Sequence, residues 1–186
     1  MSKDRLALEG GPPVSSKKIP IAKPLIQQNV IDVIREIINS GNLRQGYFVK
    51  SFEDLFKEFV DSKYAYATNN GTSALHLAYL STIKKGDEVI VPDFTFMATA
   101  SMIYFCGAKP IIADIDPYTY TLDPESVKEK LSSKTRAIVP VHLFGNSADL
   151  DALQDICADE NLYLINDSAQ AHGTKYGGKD IGTIGD

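Results

Sequence analysis

The sequence predicts an α/β fold: a mostly parallel sheet with flanking helices. From residue 64 onward, five short apolar runs are separated by four helical patterns. Runs such as "EVIVP" and "PIIADI" are continuously apolar, as in strands buried on both faces, and do not alternate as half-exposed strands do. The helical stretches carry their own start signals, most clearly Asp123 followed by Pro124, a cap residue with proline at the first helical position. Strand and helix in alternation is the pattern of a parallel sheet joined by helical crossovers.

The elements follow in order. Residues 24–40 place Ile26, Val30, Val33, Ile34, Ile37 and Ile38 on one face, with Gly41 as C-cap, so an amphipathic helix is predicted. A second helix is predicted over 51–60, opening at Ser51 with Phe52, Leu55, Phe56 and Phe59 as its buried stripe. "YAYAT" (64–68) reads as the first strand and 72–82 as the helix after it. Strands at 88–92, 110–115, 137–144 and 162–167 then alternate with helices at about 96–105, 123–131 and 148–161. The segment before residue 19, "MSKDRLALEGGPPVSSKK", reads as a disordered tail, leaving 19–186 as one structural block.

Composition narrows the function classes. Apolar content of 44% and charged content of 23% are those of a globular protein. A net charge of −5, with no Lys/Arg-rich stripe, argues against a nucleic-acid binder. No apolar run is long enough to span a bilayer, and the N-terminus lacks the apolar core of a secretory signal, so a cytoplasmic location is expected. Cys106 and Cys157 stand in no CxxC pair and near no His at metal spacing, so both read as buried small hydrophobes in a reducing compartment, and no metal site is expected.

In open α/β sheets, ligands gather beyond the carboxyl ends of the strands. The segments that follow the five predicted strands are "NNGTSALHLA", "PDFTFMATA", "DIDP", "HLFG" and "DSAQAHG". In the first, Gly71 allows a tight turn, and Thr72 and Ser73 offer hydroxyls and free amides at a helix start. Such a start is either a plain cap or an anion site, where the helix dipole adds about 0.3–1 kcal/mol when exposed. It lacks the lysine of a P-loop, and no GxGxxG follows the first strand, which disfavours nucleotide and dinucleotide binding. In the second, Phe94 and Phe96 are either core residues or a flat surface for a ring. In the last, Asp167 ends a buried strand. It either caps the next segment or meets a cation, and an ion pair at 4 Å in a medium of effective dielectric near 20 gains about 4 kcal/mol before desolvation. Gln170, three residues on, can reach the same ligand as a neutral donor.

A phosphate cradle, a flat aromatic and a ring-facing carboxylate together match pyridoxal 5'-phosphate, whose protonated ring nitrogen makes the ring an electron sink. The chain resembles the DegT/DnrJ/EryC1/StrS aminotransferases, a family of fold type I pyridoxal-phosphate enzymes acting on nucleotide-linked sugars. The matching segments are "IPIAKP", "SGNLRQG", "NNGTSALHLA", "GDEVIVPDFTFMATA", "GAKPIIADIDPYTY", "VPVHLFG", "DSAQAHG" and "YGGKDIGTIGD", in order, along nearly the whole chain past residue 18. The resemblance implies that Thr72, with the amides of Gly71 and Ser73, holds the cofactor phosphate. It further implies that Phe96 stacks on the ring, Asp167 pairs with the ring nitrogen and Gln170 bonds the ring hydroxyl.

The resemblance also implies a nucleotide-linked keto-sugar and an amino donor such as glutamate as partners, and a homodimer. In the family the Schiff-base lysine lies in a motif like SFxxTKN a short way beyond "GTIGD", past Asp186. The expectation is therefore the first part of the large domain, inactive as an isolated chain, with an unprotected sheet edge and exposed apolar helix faces, and so either poorly soluble or reliant on a partner. Lys175 and Lys179 fall in a stretch that is an ordinary loop in the family and do not read as substitutes. His142 and His172 read as structural histidines or as site residues. Two rival readings remain: a non-catalytic protein that binds a partner or cofactor, and a pyridoxal-phosphate sugar dehydratase, in which histidine replaces the lysine.

Overall fold

A computed structural model describes residues 5–186, so the expected tail 1–18 lies partly outside the described residues. The chain divides into two compact units, one up to Gly46 and one from Tyr47 to Asp186. In the first unit a short 3-10 turn, Ala7–Glu9, precedes helix α1, Gln28–Ser40. Helix α1 ends as expected at Gly41, whose φ of 67° lies in the left-handed region. It starts four residues later than predicted, and none of its residues is buried.

The second unit opens with helix α2, Tyr47–Val60, which begins before Ser51, so Ser51 sits inside the helix and does not cap it. Helix α3 (Gly71–Thr82), strand β1 (Glu88–Pro92), helix α4 (Ala98–Phe105), strand β2 (Lys109–Ala113) and helix α5 (Pro124–Lys130) follow. Strand β3 (Thr135–Ile138), helix α6 (Leu150–Glu160) and strand β4 (Tyr163–Leu164) complete the main sheet. Asp123 caps α5 by accepting from the Glu125 amide at 3.0 Å, with Pro124 at the first helical position as expected.

The four strands lie in the order β2-β1-β3-β4, and all are parallel. Both faces are covered, and side chains alternate between them. Val89, Val91, Ala137, Val139 and Ile165 pack with Tyr79, Ile83 and Ile103 of the α3 and α4 side. Ile90, Ile138 and Leu164 pack with Val127, Leu150, Leu153 and Ile156 of the α5 and α6 side. Cys157 is buried in this second cluster, and burial pushes its thiol up to about 12. Cys106 is only half-buried, against expectation.

Two strand expectations are corrected. "YAYAT" forms no strand, because among the described residues no neighbouring strand supplies a hydrogen-bonding ladder for it. The strand predicted over 137–144 ends at Ile138, and residues 143–145 form a 3-10 turn. Proline explains the break. The parallel ladder runs on from Ile165 N–H to the Ile138 carbonyl, from Asp167 N–H to the Pro140 carbonyl and from His142 N–H to the Asp167 carbonyl. Pro140 has no N–H to give to Ile165, so one rung is missing and the pairing resumes as a single bridge, Val141 opposite Asp167.

Past β4, the stretch expected as an ordinary loop is a two-residue hairpin: β5 (Lys175–Tyr176) antiparallel to β6 (Lys179–Asp180). Gly177 and Gly178 have φ of 56° and 85°, the pair of positive values that a type I′ turn requires.

Candidate functional site

The chain runs from β1 outward to β2 and then returns to place β3 on the other side of β1. A crevice at such a reversal, beyond the carboxyl ends of the strands, is where doubly wound sheets bind ligands. A cavity of about 560 Å³ lies there, and Gly71, Thr72, Phe96, Asp167 and Gln170 all line it. Its remaining wall is largely apolar, including Phe56, Val60, Leu75, Val141, Leu143 and Ile165. That size and lining suit a small cofactor held by a few polar groups.

Asp167 sits at the base of the site and is 7% exposed. Its backbone is pinned by the bridge to Val141. Its Oδ2 accepts from the Thr99 hydroxyl at 2.9 Å and its Oδ1 accepts from the Ala169 amide at 3.2 Å. Thr99 is itself held by Tyr79, whose hydroxyl donates to the Thr99 carbonyl at 3.1 Å. Burial, reinforced by the Asp167 charge, pushes the Tyr79 hydroxyl up, so it stays a donor. Among the described residues no Lys, Arg or His nitrogen lies within 4.0 Å of Asp167. A carboxylate offers about four acceptor positions, so two protein donors leave room for a cationic N–H from the cavity.

The N-terminus of α3 opens on the same cavity. Asn70 is the N-cap and takes the Ser73 amide at 2.9 Å. Ser73 therefore does not bring its amide to the cavity, and it does not line it. The amides of Gly71 and Thr72 belong to the first helical turn and have no acceptor within the helix. Gly71 is not needed for a tight turn, because its φ lies outside the left-handed region. A Cβ there would meet nothing within 4 Å, so the glycine keeps open space beside two helix-terminal amides. That open cradle has the chemistry of a phosphate site.

The two phenylalanines separate. Phe94 packs on Tyr120 with ring centroids 6.2 Å apart and does not line the cavity. Phe96 lines it and is 71% exposed, so its ring has a face to offer. Gln170 accepts from the Phe144 amide through Oε1 at 2.9 Å, which leaves its NH₂ as the free, donating end. The fit is therefore consistent: open space and amides for a phosphate, a ring face, a buried anion and a neutral donor.

His142 is fully buried and structural. Its Nδ1 accepts from the Ala148 amide at 3.1 Å, so Nε2 carries the hydrogen and meets Asn166 Oδ1 at 3.2 Å. Burial lowers its pKa against the opposing pull of Asn166 and Asp167. His172 lines the cavity edge-on to Phe56, with centroids 5.7 Å apart. Lys175 and Lys179 do not line it, and Lys175 instead lies 3.6 Å from Asp180.

The family model of the DegT/DnrJ/EryC1/StrS aminotransferases matches residues 24–186. The chain belongs to this family. Among relatives of the DegT/DnrJ/EryC1/StrS aminotransferases, GDP-perosamine synthase of Vibrio cholerae is 41% identical over 170 residues, covering 90% of this chain and 46% of that protein. An aminotransferase structure from Psychrobacter cryohalolentis superposes with a TM-score of 0.84 at 41% identity, covering 89% of this chain and 43% of that one. The Escherichia coli GDP-4-keto-6-deoxy-D-mannose-3-dehydratase, solved with bound hydrated pyridoxal phosphate, superposes with a TM-score of 0.83 at 29% identity, over 90% of this chain and 45% of that one. The chain thus spans somewhat less than half the length of the relatives it matches. Among the described residues, no helix is long and apolar enough to cross a membrane.

Sequence reasoning passed over Thr99, which anchors Asp167, and Asn70, which caps α3. Asn70 carried a readable signal, an Asn directly before a helix. Thr99 carried none, because its partner lies 68 residues away.

Proposed function

We propose that residues 19–186 form the first part of the cofactor-binding large domain of a pyridoxal-phosphate-dependent nucleotide-sugar aminotransferase. Its reaction transfers an amino group from a donor such as glutamate to a keto-sugar nucleotide, in a cytoplasmic homodimer. The observation that carries this reading is Asp167, a buried carboxylate that meets no cation among the described residues, in one cavity with an open helix N-terminus.

The geometry supports the following roles. The amides of Gly71 and Thr72 and the Thr72 hydroxyl bind the phosphate, helped by the dipole of α3. Phe96 covers one ring face. Asp167, oriented by Thr99 and the Ala169 amide, holds a proton on the ring nitrogen. Gln170 donates to the ring hydroxyl through the NH₂ that Phe144 leaves free. When bound, the protonated ring supplies an electron sink for the bond changes at the amine carbon. Lysine chemistry is outside these roles, since neither Lys175 nor Lys179 lines the cavity.

The test uses pyridoxamine 5'-phosphate, which presents phosphate, ring and ring nitrogen without needing a lysine. Saturable binding to the purified protein, measured by ligand fluorescence, is expected to disappear in Asp167→Ala and weaken in Thr72→Val. No binding to the wild type overturns the reading. A second reading, sugar dehydratase, rests on the likeness to the E. coli enzyme, at lower identity than the aminotransferase matches. With these residues carried in a chain of the relatives' full length, mass spectrometry of a keto-sugar nucleotide incubated with it and glutamate separates the two: an amino sugar supports transfer and a deoxy sugar supports dehydration.

A further inference from the structure

Helix α2 carries a buried carboxylate that the roles above do not use. Glu53 is 6% exposed, in a helix whose only other buried residue is Val60. Glu53, Phe56 and Val60 are spaced i, i+3, i+7, which puts them on one face of α2. Phe56 and Val60 line the cavity, so the stripe that holds Glu53 faces the same side of the unit. Burying a carboxylate costs several kcal/mol unless a donor meets it, and here the donor is a backbone amide. Ala67 N–H donates to Glu53 Oε1 at 3.0 Å.

That bond has an unusual position. Residues 63–70 form no strand and lead straight into α3. Among the described residues, the Ala67–Glu53 bond is the one hydrogen bond that ties this segment to an element other than α3. The bonds after it are local: the Thr68 hydroxyl donates to the Asn70 carbonyl at 2.8 Å, and Asn70 caps α3 through Ser73. The anchor therefore stands three residues before the cap and four before Gly71.

We propose that Glu53 is a positioning residue for the phosphate end of the site. By holding Ala67, its carboxylate sets where the 63–70 segment delivers Asn70, and so where the amides of Gly71 and Thr72 point. This rests on the reading of the α3 N-terminus as the phosphate end. It predicts an effect on the phosphate and not on the ring.

The experiment compares pyridoxamine 5'-phosphate with pyridoxamine, which lacks the phosphate, on wild type, Glu53→Gln and Glu53→Leu. The glutamine keeps an acceptor oxygen for Ala67, and the leucine removes it. The preference for the phosphorylated ligand is expected to fall about tenfold in the leucine variant and to hold within about twofold in the glutamine variant. Pyridoxamine affinity is expected to stay constant. Equal weakening of both ligands, or an unchanged preference in Glu53→Leu, overturns the proposal. Glu53→Asp, shorter by one methylene, replaces the leucine variant if that one does not fold.

Amide hydrogen exchange without ligand runs alongside. Exchange at Ala67 and at Ser73, whose amide is held by the Asn70 cap, is expected to rise in Glu53→Leu and not in Glu53→Gln. If the wild type binds neither ligand, the cofactor reading fails by itself, and this exchange comparison still decides the anchor: no rise at Ser73 overturns it.

Discussion

The Thr99 hydroxyl donates to Asp167 Oδ2 at 2.9 Å, joining the first turns of α4 to the end of the sheet across 68 residues of sequence. Both partners are buried. Replacing Thr99 by valine keeps the shape and removes the donor. A hydrogen bond to a charged group contributes about 1.5–3 kcal/mol, so Thr99→Val is expected to lower unfolding stability by about that amount, read from urea denaturation. It also frees Asp167 to turn, so affinity for pyridoxamine 5'-phosphate is expected to fall with it.

Gly71 gives a prediction that separates stability from binding. A Cβ at this position meets nothing within 4 Å, and the backbone there is not left-handed. Gly71→Ala is therefore expected to leave the fold as stable or to raise stability by about 0.4–1 kcal/mol, through reduced freedom of the unfolded chain. The added methyl occupies the cradle, so phosphorylated-ligand affinity is expected to drop. A matched loss of stability and binding would contradict this.

The paired phenylalanines supply their own control. Phe96 lines the cavity and is largely exposed, whereas Phe94 packs on Tyr120 outside it. Phe96→Leu is expected to cost about 0.5–1.5 kcal/mol of ligand affinity, the range of a ring–ring contact, with little change in thermal midpoint. Phe94→Leu is expected to leave affinity alone. Isothermal titration of both variants checks the contrast.

His142 sets a pH dependence. Its ordinary pKa is 6.5, and burial lowers it in the folded protein. The unfolded chain therefore binds a proton more readily than the folded one. The neutral histidine's contribution to stability is fully present above pH 6.5 and is lost as pH falls through the lower folded value. Urea midpoints measured downward from neutral pH are expected to fall, and His142→Asn, which cannot titrate, is expected to flatten that part of the profile. His142→Ala is expected to be worse at every pH, because it leaves the Ala148 amide and Asn166 Oδ1 without their partner, at about 1–3 kcal/mol for each unsatisfied group.

Much of the fold was legible because its signals are local. Apolar runs, the Asp123–Pro124 start and the Gly41 stop each lie within a few residues, and β1, β2 and α3 to α6 fall within a few residues of where periodicity puts them. The candidate site was legible in part for the same reason: Asp167 ends an apolar run, and Gly71 and Thr72 open a helix. The sequence by itself determined the class of the fold, the order of its elements and which strand ends carry polar groups. Only the tertiary structure decided which of those groups meet. It left "YAYAT" outside the sheet, since a strand exists only where a neighbour completes its ladder. It ended β3 at Ile138, just before Pro140, whose missing N–H mattered because Ile165 lay opposite. It committed Gln170 to Phe144 and Thr99 to Asp167, pairings made by backbone and side-chain groups that only the packed sheet brings within reach.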